Sequence, residues 1–520
     1  MSAASHDADR DSGPSLTRNA LSNLAGLFAY LAIAFFLSPY IVRSLGDARY
    51  GAWSLVAEIV GYYSLLDLGL RNAVTFFVAN YAAKREHDRL GSSIASAFWV
   101  LAVAGGALAL AGVGLAWVFP YIFESSQVDI REVLPAMAIM SITIGLSLPM
   151  DVFAAALTGY RRMDLVNVAE VVSRGLVALG IYLALRSGGG LIAMSLIQSA
   201  GRVLAWLGTY VWMQRISGGI SLSPRHFSRN ELRSLGRLGS MNVVISLAGV
   251  LINRADLVVV GIFLGVRWVA FYNIGRMLVE YASQITSSVS RAFMPHLAHL
   301  HSQNEMLAVR RLFLAGAKYN ALVSFPLAAC LGAFGPSFLG LWMGRVYVTG
   351  DVTHRSDIVM LVLVGAHVCR WTQAVVWQAV ASTGEYRHVM WLNVAEAIAN
   401  LALSLVLVRT LGLLGVALGT MIPMAVSYLW LMPAHVLKRF DVRFRDYFAE
   451  ALRQPLLVGV LVLAFARTLV VAWYPSSWPL MFAQAFATVA VWAVLAYLLG
   501  LAPGERAEVR HQLARAVRAV

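Results

Sequence analysis

The sequence predicts an all-α integral membrane protein of about fourteen transmembrane helices, with two six-helix lobes and two extra C-terminal helices. Three observations carry this expectation. The composition is 59% hydrophobic and only 13% charged, whereas a soluble domain has roughly one quarter charged residues. Apolar runs long enough to cross a hydrocarbon core of about 30 Å recur from Leu21 to Leu501. Several short motifs also occur twice, at a nearly constant offset. A large soluble helical protein is the alternative, but no soluble core needs so many runs of this length.

In order, the runs place helices at roughly 21–44, 50–82, 94–118, 133–157, 165–185, 191–213, 239–264, 268–293, 313–341, 358–382, 389–408, 413–437, 452–473 and 478–501. Residues 1–18 form a polar tail without the apolar core and small-residue cleavage site of a signal peptide. The tail is expected to be disordered and cytoplasmic. The longest connection, QRISGGISLSPRHFSRNELRSLGRLG, is basic and rich in Gly and Ser. It makes 215–238 a cytoplasmic linker between an N-terminal lobe, 19–214, and a C-terminal lobe, 239–438. Helices 13 and 14 occupy 439–501, and 502–520 is a basic cytoplasmic tail.

The formal net charge is +14. The charges lie mainly between the apolar runs, so they set membrane orientation and do not point to nucleic acid. With the N-terminus inside, the inner segments hold Lys84, Arg85, Arg89, Arg161, Arg162, Arg215, Arg225, Arg310, Arg311, Arg387, Lys438 and Arg439, among others. The outer segments hold Arg43, Arg49, Arg131, Arg186, Arg267, Arg345, Arg355 and Arg409. Both termini are therefore expected in the cytoplasm.

The repeat is clearest in NVAE, which occurs at Asn167–Glu170 and again at Asn393–Glu396. Thr158-Gly159 precedes the first copy and Thr383-Gly384 the second. Upstream, Leu45-Gly46 matches Leu264-Gly265, and Asn23 matches Asn242, at an offset of 265 − 46 = 219. For NVAE the offset is 393 − 167 = 226. Each repeat holds six spans. An even number gives both copies one orientation, related by a pseudo-twofold axis along the membrane normal. That architecture places a substrate path between two transporter lobes. Channels and respiratory subunits are also duplicated, but an alternating-access carrier is the leading class.

Ionisable residues inside spans are costly and mark function or a wet cavity. The arginines so placed are Arg71, Arg174, Arg202, Arg254, Arg276, Arg291, Arg370 and Arg467; the acids include Glu58, Asp67, Asp151, Glu170, Asp256, Glu280 and Glu396. Three pairs have i,i+4 spacing on one helix: Asp67 with Arg71, Glu170 with Arg174, and Arg276 with Glu280. A structural ion pair explains each as readily as a functional site. Arg254 needs a partner other than Asp256, which points elsewhere on the helix. Arg202 and Arg370 have no acid one turn away, so another helix or a cavity must take them. Surplus guanidinium suits an anion, since Arg grips phosphate oxygens with a bidentate fork. The solvated loops favour Arg over Lys as well. Glu170 has Arg174 one turn later, whereas Glu396 has Asn400, so Glu396 is the better candidate to titrate.

The remaining signals are mostly negative. There is no phosphate-binding G-x-x-x-x-G-K-[ST] loop, so ATP hydrolysis is not expected. Cys330 and Cys369 lack disulfide or metal-ligand spacing. His296, His299 and His301 in HLAHLH read as a basic interfacial segment before a metal site. Neither a cofactor nor a metal is implied.

The stretch SLGDARYGAWSLVAEIVGYYSLLDLGLRNAVTFFVANYAAK, Ser44 to Lys84, resembles the polysaccharide-biosynthesis and O-antigen flippases. These belong to the multidrug/oligosaccharidyl-lipid/polysaccharide exporter superfamily. LINRADLVVVGIFLG followed by FYNIGRM, Leu251 to Met277, is similar to the family's seventh and eighth spans. The resemblance implies ion-coupled flipping of an undecaprenyl-diphosphate oligosaccharide from the cytoplasmic to the periplasmic leaflet of the bacterial inner membrane. It implies a cationic cavity lined by Arg71, Arg254 and Arg276, with Arg174 next. Glu396, Asp67, Asp256 and Glu280 are the ion-coupling candidates. It places the lipid tail at helices 13 and 14 and admits a polysaccharide polymerase and ligase as partners. The alternatives are a multidrug/cation antiporter, a lipid II flippase, and a non-transporting scaffold of a polysaccharide synthase complex.

Overall fold

A computed structural model describes residues 16–62, 70–84, 86–123, 128–228, 231, 254–291, 293–303, 305–383, 386–507 and 510–511. Within these the chain is helical, without strands. It divides into two compact units, Met1–Ala270 and Phe271–Val520. Most of the two polar tails, Asp67, and much of the linker and the first half of the seventh span lie outside the described residues.

The first unit comprises α1 (Leu16–Gly61), α2 (Leu70–Lys84), α3 (His87–Ile122), α4 (Ile130–Gly159), α5 (Met163–Arg186), α6 (Leu191–Ser217) and α7 (residues 254–263). The repeated Leu-Gly motif is where the chain leaves the helix. Gly46 breaks α1 with φ of 74°, and Gly265 follows α7 with φ of 91°. Gly adopts this left-handed region without the Cβ clash that other residues meet. Asp129 caps α4 by accepting from the Arg131 amide, and a left-handed Gly218 closes α6.

Glycines and hydroxyls hold these helices together, as expected where burial alone cannot drive association. A Cβ on Gly105 of α3 would stand 2.0 Å from the Gly145 carbonyl oxygen of α4. Thr143 of α4 hydrogen-bonds Ser199 of α6 at 2.6 Å, and Ser173 of α5 donates to the Gly201 carbonyl at 2.6 Å. At one end of the unit the linker docks, with Trp99 Nε1 donating to Leu222 O at 2.8 Å and Tyr81 donating to Glu231 at 2.9 Å.

The second unit comprises most of α8 (Val266–Arg291), α9 (Met294–Ser302), α10 (Met306–Trp342), α11 (Ser356–Thr372), α12 (Ala374–Thr383), α13 (Tyr386–Val426), α14 (Met432–Arg439), α15 (Phe444–Tyr447), α16 (Arg453–Ala472) and α17 (Trp478–Leu495). Gly412, with φ of 57° and ψ of −134°, divides α13. The helical stretch Val389–Arg439, 51 residues and largely apolar, would be roughly 76 Å long if straight. That is more than twice a bilayer core, so the Gly412 break makes it two crossings. The α11–α12 pair is bent by 42°. The amide of Asn320 donates to the Trp371 carbonyl freed at this break, and Tyr447 donates to the Gln373 side chain there at 2.8 Å.

Among the described residues, nine helices are long and apolar enough to cross a membrane, or ten if the bent pair is one span. The expected count of fourteen is therefore not reached by this criterion. Two of the nine fold two expected spans into one, at Gly46 and Gly412, and α8 carries Arg267, Arg276 and Glu280.

Beyond the last helix, Glu505 accepts from Lys318 Nζ at 2.7 Å, Tyr319 Oη at 2.9 Å and the Ala502 amide at 2.6 Å. Burial pushes its carboxyl pKa up, but the hydrogen bonds from Lys318, Ala502 and Tyr319 outweigh this and hold it below the usual glutamate value. A lowered folded-state pKa means that the contact is fully present at neutral pH. It is lost only as pH falls through that lowered value.

Two outcomes follow from the packing. Gly105→Ala should destabilise the protein by about 1–3 kcal/mol, while Gly106→Ala, whose Cβ meets nothing within 4 Å, should not; melting in detergent compares them. At neutral pH, Glu505→Gln should release the C-terminal segment, read as faster tryptic cleavage after Arg506 than in the wild type.

Candidate functional site

Charged residues from four helices of the first unit converge. Arg71 of α2 donates to Asp151 of α4. One turn along α5, Arg174 donates to Glu170 at 2.8 Å and lies over the Tyr30 ring of α1 at 5.1 Å. Arg202 of α6 stands 3.8 Å from the other Glu170 oxygen, and it acts electrostatically on Asp151 together with Arg71. Among the described residues, three guanidiniums thus face two carboxylates, a surplus of 3 − 2 = 1 positive charge. The three arginine side chains are about half accessible, and Asp151 is the most buried member of the cluster.

Arg254 makes a separate contact in the same unit. Its Nη1 is 3.8 Å from Glu58 Oε1, and Glu58 is only 5% exposed. A Cβ on Gly61 would stand 2.0 Å from that same nitrogen. The guanidinium therefore occupies space that only a glycine at 61 leaves open. Asp256 is buried near the start of α7, at 3% exposure.

In the second unit the expected Arg276–Glu280 pair is present, at 3.0 Å. The second NVAE acid, Glu396, is 4% exposed. Ser427 hydrogen-bonds it and Arg370 acts on it electrostatically. Its Oε1 and the Oδ1 of Asn400, one turn on, have no hydrogen-bond partner among the described residues. The Asn400 amide donates to Thr420 at 3.1 Å.

The two units use one scheme with different partners. Glu396 matches Glu170 and Asn400 matches Arg174 at 396 − 170 = 400 − 174 = 226, and Tyr428 matches Arg202 at 428 − 202 = 226. Tyr428 also interacts with Glu396, as Arg202 does with Glu170. Where the first unit surrounds the acid with guanidiniums, the second offers an amide, a serine, a phenol and one guanidinium, Arg370.

The expected residues therefore separate into groups. Arg71 and Arg174 join one cluster, Arg254 pairs with Glu58, Arg276 pairs with Glu280, and Glu396 centres a polar pocket of its own. Asp67 lies outside the described residues; Arg71 engages Asp151 across helices. The sequence alone did not select Asp151, Arg202 and Asn400. Their signal is interhelical, apart from the 226-residue correspondence of Glu170 and Glu396.

Two helical units with acids and guanidiniums gathered inside apolar helices define a multi-pass membrane protein with the fold of secondary transporters. The chain belongs to the polysaccharide biosynthesis protein family, whose model matches residues 40–349. It is 21% identical over 496 residues to the membrane protein EpsK of Bacillus subtilis, covering 94% of this chain and 96% of that one. It is 23% identical over 430 residues to a probable low-salt glycan biosynthesis flippase of Haloferax volcanii, covering 81% and 82%. Its fold matches the lipid II flippase MurJ in an inward closed conformation, with a TM-score of 0.68 at 14% identity, over 92% of this chain and 96% of that one.

One outcome tests the Arg254 pocket. The Arg254 side chain is flexible, so Gly61→Ala should displace it without unfolding the protein. Surface polysaccharide from a complemented deletion strain should then fall to the level given by Arg254→Ala, while the melting temperature of purified Gly61→Ala stays at the wild-type value.

Proposed function

We propose that this protein is a flippase. It moves a polyprenyl-diphosphate-linked oligosaccharide from the cytoplasmic to the periplasmic leaflet, by ion-coupled alternating access, for surface polysaccharide biosynthesis. The observation that carries the reading is the cluster of Arg71, Asp151, Glu170, Arg174 and Arg202, in which three guanidiniums face two carboxylates among the described residues. Guanidinium is the side chain best fitted to phosphate oxygens. The family, and a relative named as a glycan biosynthesis flippase, support the same substrate class. The basic loops support an inner-membrane protein with both termini in the cytoplasm, and a polymerase and a ligase act as downstream partners.

The divergence between the units suggests a division of labour. The first unit, with Arg71, Arg174, Arg202 and Arg254, forms the site for the anionic headgroup. In the second, Glu396 and Asn400 present acceptor oxygens without hydrogen-bond partners among the described residues, which suit a coupling cation; Glu280 and Asp256 are further coupling candidates. A cation antiporter of the same superfamily is the second reading, and buried Glu396 is the observation that favours it.

Deleting the gene should cause an undecaprenyl-diphosphate oligosaccharide to accumulate while surface polymer is lost, as read by mass spectrometry of extracted lipid. The intact gene should reverse both changes, and Arg254→Ala should not. Normal lipid pools with increased drug susceptibility would instead select the antiporter. Glu396→Gln should cut polymer export by at least about tenfold, with the protein still folded in the membrane.

A further inference from the structure

We infer that Arg202, on the sixth helix, is the residue that grips the diphosphate, and that Arg71 and Arg174 chiefly position it. The inference rests on the flippase reading and asks which guanidinium of the cluster remains available to an incoming anion.

The hydrogen bonds separate the three arginines. Arg71 is bonded to Asp151, and Arg174 is bonded to Glu170 at 2.8 Å with its face over Tyr30. Each of these charges already has a carboxylate at bonding distance. Arg202 does not. Among the described residues its contact with an acid is Glu170 at 3.8 Å, too long for a hydrogen bond. That oxygen belongs to a carboxylate already accepting from Arg174. Arg202 also lies in the interior of the 27-residue α6, with its side chain 52% accessible. A guanidinium carries five N–H donors. Leaving them without acceptors inside a membrane unit is costly, and an anion carrying several oxygens removes that cost.

The neighbours of Arg202 fix its position. Both Glu170, at 3.8 Å, and Asp151 act on it electrostatically. A diphosphate arriving there meets one guanidinium that no hydrogen bond holds among the described residues, backed by two that are neutralised. Glu170 then competes with the substrate for Arg202, which makes it a brake on binding. The correspondence between the units agrees. The position matching Arg202 is Tyr428, at 428 − 202 = 226, so the second unit lacks this cation at the same place.

The test uses the full-length protein in nanodiscs. Undecaprenyl diphosphate is the probe and undecaprenol the uncharged control. The wild type should bind the diphosphate and not the alcohol. Arg202→Gln should weaken diphosphate binding at least about tenfold, and Arg202→Lys by less. Glu170→Gln should tighten it, because the competing carboxylate is gone; a merely structural Arg202 predicts weaker binding or a lower melting temperature for that variant. Wild-type affinity in Arg202→Gln, or weaker binding in Glu170→Gln, overturns the role of Arg202 while leaving the flippase reading in place. Equal binding of diphosphate and alcohol by the wild type overturns both.

Discussion

A charge inside a membrane unit needs a partner, and the rest of this structure depends on that constraint. Transfer of an ionised side chain to hydrocarbon costs several kcal/mol even by lenient scales, about 2.5–3.5 at a helix centre. The first unit meets this by bringing Arg71 to Asp151, Arg174 to Glu170 and Arg254 to Glu58 across or along its helices. The close approach of α3 to α4 at Gly105 and Gly145, and the hydroxyl contacts of α4 and α5 with α6, hold the backbones where those side chains meet. Packing and electrostatics are therefore one problem: the helices must sit close for the charges to be tolerated.

Duplication gave the chain two copies of the same acid, and the copies have diverged in sign. Around Glu170 the neighbours are guanidiniums, and around Glu396 they include Asn400, Ser427 and Tyr428. Arg370 alone brings positive charge near the second acid among the partners named. A carboxylate surrounded by cations serves as a counter-ion for an anion site. A buried carboxylate with one guanidinium and otherwise neutral groups about it, and an oxygen without a hydrogen-bond partner among the described residues, is suited to a cation. The two units can thus serve substrate and coupling ion with one inherited scaffold.

Much of this was legible in the sequence because it is local. Apolar runs mark helices, and Leu-Gly marks the breaks at Gly46 and Gly265, both with positive φ. The i,i+4 spacing gives Glu170–Arg174 and Arg276–Glu280 directly. Gly412 was legible in the same way: it follows Leu411, Arg409 and Thr410 interrupt the apolar run just before it, and the expected spans 389–408 and 413–437 leave the break of α13 between them. Partners on other helices were not legible. Nothing in the spacing of Arg71 and Asp151, 80 residues apart, or of Glu58 and Arg254, says that they meet. Those pairings come from interhelical packing, which a single sequence does not encode as a period. The space that Gly61 leaves for Arg254 is of the same kind.

The central claim is that an anionic lipid-linked sugar crosses this protein at the expense of a cation gradient. The most direct measurement reconstitutes the purified chain into proteoliposomes with a fluorescent undecaprenyl-diphosphate oligosaccharide and follows its arrival in the opposite leaflet. The account predicts flipping by the wild type that accelerates when a proton or sodium gradient is imposed and stops when the gradient is collapsed. Flipping at the rate of protein-free liposomes, or flipping indifferent to both gradients, would contradict it.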